Sequence, residues 1–185
     1  ESVMTCHRWD YYRAQVNLTT SAGGVIKNLR AEIMPAYEAL KQILSEIPSH
    51  PLALHLWIHL TEQSNNPAEG EEAADRLSTQ QKLSKFGHLA HMPAHTYLRM
   101  GAYSKAIVSS IASIEIDREY EHMCLEPYCA HHNIAVLIHS AMHSARKELA
   151  VDWAPNHSAD QADHVSAQYI SGLFLTPLEF VYSKF

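Results

Sequence analysis

The stretch GHLAHMPAHTYLRMGAYSKA, residues 87–106, sets the architecture of the chain. Three histidines, His88, His91 and His95, run into a turn of the form Gly101-x-Tyr103-x-x-Ala106. The Pro93 ring suits the first turn of a helix, where a missing N–H costs nothing. Met100-Gly101-Ala102 then ends that helix and opens another. Two short helices joined by a tight glycine turn, with a small residue where they cross, make one unit of a helical repeat.

A second copy lies upstream. His55 precedes His91 by 36 positions, and His59 precedes His95 by the same 36. Both pairs are spaced i, i+4, so each pair shares one helix face. A further step of 36 from His95 lands on His131, beside His132. Recurrence at a fixed period of roughly 20–50 residues marks stacked repeats.

Length and composition bound the rest. A chain of 185 residues with 46% hydrophobic content can bury a core as a single domain. The net charge of −6 argues against nucleic acid as the main partner. No run of about 18 apolar residues exists, so no membrane span is expected. Residues 1–12, ESVMTCHRWDYY, lack the basic and apolar regions of a signal peptide. Three cysteines, Cys6, Cys124 and Cys129, make no disulfide framework, and free thiols fit a reducing, cytoplasmic compartment. The unusual figure is 14 histidines, as many as Lys and Arg together.

Helical spacing recurs along the chain and no segment sustains strand alternation, so the reading is all-α. A helix is expected from Val25 to Ile47, with Pro35 kinking or splitting it. His50-Pro51 opens the first histidine helix, Leu52 to Gln63, and Glu69 to Leu83 returns. Tyr103 to Tyr120 is the return helix of the central stretch; Tyr128 to His143 and Ser144 to Trp153 form the next pair. Asn156 to Asp160 reads as loop, and Gln161 to Phe174 as helix. The approximate units are 25–48, 50–84, 87–121, 126–153 and a partial 161–185. Because PLEFVYSKF stops inside a periodic pattern, a longer solenoid is expected, its apolar ends covered by further repeats or a protein partner.

The pattern Tyr97-x-x-x-Gly101-x-Tyr103-x-x-Ala106 resembles the tetratricopeptide repeat. More narrowly, four stretches resemble a bacterial-type subset of that family: residues 49–59 (SHPLALHLWIH), residues 87–99 (GHLAHMPAHTYLR), Tyr128-x-x-His131-His132-Asn133, and Leu175-Thr176-Pro177-Leu178. Trp9-Asp10-Tyr11 fits the same subset, while Ala135 stands where its members often carry another histidine. The resemblance implies an α-solenoid of antiparallel helix pairs whose first helices line a concave surface. It places His88, His91, His95 and Arg99 on that surface, with His55 and His59 one unit earlier.

Neighbouring helices pack roughly 8–10 Å apart, so histidines on two of them can converge on one ion. Neutral imidazole is the commonest metal ligand and suits Zn, Cu or Fe. His55, His59, His91, His95 and His132 are the candidate ligands. Glu62 can ligate, orient an imidazole or act as a base; His88 and Arg99 are further candidates around the site. Four histidines would close a structural or storage site, whereas three leave a position open for chemistry. The alternative is a non-catalytic scaffold that binds a peptide or partner subunit without metal, gripping carboxylates with Arg99 and protonated histidines. His139 and His143 read as helix-end residues facing the dipole.

Overall fold

The computed structural model describes residues 11–16, 25–80, 85–125 and 130–159. The expected helix over 161–174, the partial unit 161–185, Trp9, Cys6 and Cys129 lie outside the described residues. Within them the protein is mainly helical, and sequential helices pack on one another.

Among the described residues the one departure from the all-α reading is a short hairpin ahead of the helices. β1 (Tyr12–Val16) and β2 (Val25–Leu29) form an antiparallel pair with Tyr12 opposite Leu29 and Val16 opposite Val25. Residues 25–29, expected in a helix, pair instead with a strand ahead of them. β-Branched Val25 and Ile26 tolerate that pleat better than a helix. The Arg30 N–H extends the ladder by donating to the Tyr11 carbonyl at 2.9 Å. Helix α1 therefore begins at Met34 and runs to Glu46. Pro35 lies in its first turn, so it starts the helix and does not kink it.

α2 (Pro51–Glu62) opens on His50, whose Nδ1 accepts the Ala53 N–H at 3.3 Å. A short 3₁₀ turn, Pro67–Gly70, leads into α3 (Glu71–Ser78), shorter than the expected 69–83. A Cβ on Gly70 would collide with the Thr61 hydroxyl and crowd that of Thr96, so glycine lets this turn lie close against α2 and the next helix.

That next helix, α4, spans Gly87–Met100 and holds Pro93 in its interior, buried, and not at its first turn as expected. The proline costs α4 one internal hydrogen bond. In return, His88, His91 and His95 fall on a single helix at i, i+3 and i+7, which is one stripe. α4 ends in a Schellman motif: Ala102 N–H donates to the Tyr97 carbonyl at 2.8 Å, Gly101 N–H to Leu98 at 3.2 Å, and Gly101 takes φ 77°. α5 (Tyr103–His122) follows.

α6 (Ala130–His143) and α7 (Lys147–Ala159) complete the described chain; residues 156–159, expected as loop, continue α7. Among the described residues no helix is long and apolar enough to cross a membrane.

The core has three parts. Leu40, Ala53 and Leu60 join α1 to α2 beneath Tyr11. Leu54, Ile58, Ala74, Met92 and Tyr97 join α2, α3 and α4, with Val136 arriving from α6. Ile107, Ile114, Leu137 and Ala150 join α5, α6 and α7. Two helix contacts bring the histidine faces together: α2 lies against α4, and α4 against α6.

Asp117 of α5 is buried beside Asn133 of α6, whose Nδ2 donates to Asp117 Oδ2 at 2.5 Å. Burial, opposed by that hydrogen bond, raises the Asp117 carboxyl from 3.8 to about 6. The folded chain therefore holds this proton at pH values where the unfolded chain has lost it, and stability falls as pH rises through that window. We expect the unfolding free energy of the wild type minus that of Asp117→Asn to decline by about 2 kcal/mol between pH 4 and pH 7, solvent screening reducing the full effect of the shift. Urea titrations at three pH values measure it; a difference independent of pH would refute the assignment.

Candidate metal centre

Three helices deliver the histidines. α2 carries His55 and His59 one turn apart, with Glu62 at its last position. α4 carries His88, His91 and His95, and α6 carries His132. Because α4 lies between α2 and α6, its stripe meets a partner on each side.

The result is two groups of three. His55, His59 and His88 have ring nitrogens within 4.8 Å of one another, and so do His91, His95 and His132. In the first triad His55 Nε2 and His88 Nε2 are 3.3 Å apart. In the second, His95 Nε2 lies 3.0 Å from His91 Nε2 and 3.3 Å from His132 Nε2. The triads adjoin, with the His59 and His95 ring centroids 5.2 Å apart.

Glu62 links them. Its Oε1 is 2.8 Å from His59 Nδ1 and its Oε2 is 2.8 Å from His95 Nδ1. Each carboxylate oxygen thus accepts from one ring, one in each triad. Fixing the proton on Nδ1 leaves the opposite nitrogen, Nε2, as the one a metal takes, the usual relation of a carboxylate to a ligating histidine. Glu62, His59 and His95 also bring one ligand atom each within 4.8 Å, a third grouping that draws on both triads.

Burial sets the charge state. It lowers His55 to about 3 and His88 to about 4, helped in each case by neighbouring imidazoles. It lowers His132 to about 3, and drives His91, which has no exposed surface, well below its ordinary range. His59 is lowered as well, again chiefly by burial. For His95 burial pulls the same way, but the Glu62 carboxylate outweighs it and the ring is raised. Glu62 is lowered in turn: burial opposes this, and His95 and His59 overcome it. Burial thus favours the neutral, ligating form of five of the six imidazoles, while Glu62 favours the proton on His95 that a metal would have to displace.

Of the expected site residues, His55, His59, His91, His95 and His132 all lie in the cluster, divided between the two triads. His88 sits among the ring nitrogens and not behind them. Arg99 lies elsewhere: its Nε donates to the Glu62 backbone carbonyl at 2.9 Å, capping the end of α2. The step of 36 points to His131, whose side chain lies outside the described residues; His132 is the one that reaches His95. Ala135 is buried in the core. His143 is exposed in the last turn of α6 and stacks on Tyr103, while His139 packs against it at 4.4 Å, away from both triads. Cys124 is an exposed free thiol just beyond α5.

Compared with known proteins, the chain matches no family model, no curated protein and no solved structure.

Proposed function

We propose that this chain is a tetratricopeptide-like helical-repeat protein that binds a transition metal through its histidine cluster. The repeat reading is supported by the contacts of α2 with α4 and of α4 with α6, which are the first helices of the units expected from the sequence. It is supported too by the glycine turn at Gly101 and the wholly buried Ala106 behind it.

One observation carries the metal reading. Three Nε2 atoms, of His91, His95 and His132, converge at 3.0 and 3.3 Å. His95 Nε2 carries either one proton or one lone pair, so it can make one well-directed hydrogen bond with its two neighbours and the second contact is left poor. A cation serves all three. With Zn–N bonds of 2.0–2.1 Å, tetrahedral ligands stand about 3.3 Å apart, close to the separations found. Borderline ions suit imidazole, which favours Zn, Cu or Fe. Three protein ligands leave a fourth position for water or a small ligand, the arrangement of sites that polarise a substrate rather than merely hold the fold.

The test is elemental mass spectrometry on protein purified without a metal-affinity tag. At least one tightly held ion per chain is expected in the wild type, and none in the double variant His55→Ala, His91→Ala, which breaks both triads. A wild type that takes up no zinc, copper, iron or cobalt overturns the proposal and leaves the scaffold reading.

A further inference from the structure

We infer that the cluster holds two ions, one between α2 and α4 on His55, His59 and His88, and one between α4 and α6 on His91, His95 and His132. This rests on the metal reading but goes beyond it, because a single shared ion would satisfy that reading equally.

The division follows from which residues can reach which. The two triads share no member, and each is complete with three ring nitrogens inside 4.8 Å. Ring spacing alone draws no boundary, since the His59 and His95 centroids stand 5.2 Å apart across it and those of His59 and His88 6.5 Å apart within the first triad; it is the ring nitrogens that fall into two sets of three. A zinc-sized ion reaches ligands at 2.0–2.1 Å and takes four of them in a structural site. One ion therefore cannot gather six imidazoles, and a single-ion cluster would bury surplus rings with no coordinating role.

Glu62 belongs to both sites at once. Each of its oxygens fixes the tautomer of one ligand in each triad. The same carboxylate places its one negative charge between two dications, easing their repulsion. The six ligands themselves are imidazoles and bring no negative charge, so the second ion depends on Glu62 more than the first.

Each ion would also join a different helix pair. Loss of one triad should leave the other intact, since α4 supplies its ligands from different turns. His55 and His132 are the informative positions, because each serves one triad and neither is hydrogen-bonded to Glu62.

The experiment is a titration of the full, chelator-stripped chain with cobalt(II), read by visible absorption and by elemental content after desalting. Two cobalt ions per chain are expected in the wild type and one in each of His55→Ala and His132→Ala. The double variant of these two should hold none. His55→Gln and His132→Gln, which keep more of the side-chain volume, guard against loss of metal through misfolding, with helix content followed by circular dichroism. One ion in the wild type, lost in both single variants, overturns the two-ion inference and keeps the metal site. No ion in any form overturns both.

Discussion

Saturating zinc should raise the midpoint of thermal unfolding by roughly 8–16 °C for each ion held, relative to the same protein in excess chelator. An ion that binds only the folded chain, at a free concentration 1,000-fold above its dissociation constant, adds about 4 kcal/mol. In a domain of this size each kcal/mol moves the midpoint by about 2–4 °C. The effect is large here because the ligands come from three helices, so unfolding any of them destroys a site. Two ions give up to twice the shift, and His132→Ala should keep about half of it. In excess chelator the difference between wild type and variant should shrink to the packing cost of the lost ring. Scanning calorimetry or fluorescence melting decides the matter. A midpoint indifferent to zinc, cobalt, copper and nickel would contradict a metal site built from these residues.

The second large effect is at Glu62, and its sign separates two roles. As the orienting carboxylate, Glu62 accepts from His59 Nδ1 and His95 Nδ1 at 2.8 Å each. Glutamine keeps one acceptor and replaces the other with an NH2 group. That group donates to the ring it faces, forces the ring's proton to Nε2 and blocks it as a ligand. Glu62→Gln should therefore weaken metal binding roughly 10–100-fold, at least as much as Glu62→Ala. As a direct ligand Glu62 would behave the other way, since a glutamine oxygen can still coordinate and alanine cannot. Competition with a chromophoric chelator measures all three proteins. Glutamine binding metal better than alanine would move Glu62 into the coordination sphere. Equal affinity across the three would remove Glu62 from the site.

Much of this is legible along the chain. The i, i+4 pairs at His55–His59 and His91–His95 tell of two helices with matching histidine faces, because helical periodicity depends only on local geometry. Gly101 announces its turn for the same reason: a left-handed C-cap is a local requirement that glycine meets best. His50 and Pro51 mark the start of α2 in the same way.

Expectation and structure part where a distant partner intervenes. Residues 25–29 have a pattern that suits either a helix or a strand, and pairing with residues 12–16 selects the strand. Pro93 should open a helix by its own preference, yet the buried packing of Met92, Pro93 and Ala94 carries α4 through it. Arg99 is of a type suited to the site, but the end of α2 takes its guanidinium.

Residue order alone dictates a helical chain with histidines set at matching positions on separate helices, since spacing along a helix needs no knowledge of neighbours. How those histidines divide depends on packing in three dimensions. α4 lies between α2 and α6, so its single stripe is split between two partners. His88 joins His55 and His59, His91 and His95 join His132, and Glu62 stands between the two groups. Which face a helix turns to which neighbour is fixed by the packing of side chains far apart in the chain, and spacing alone cannot express it.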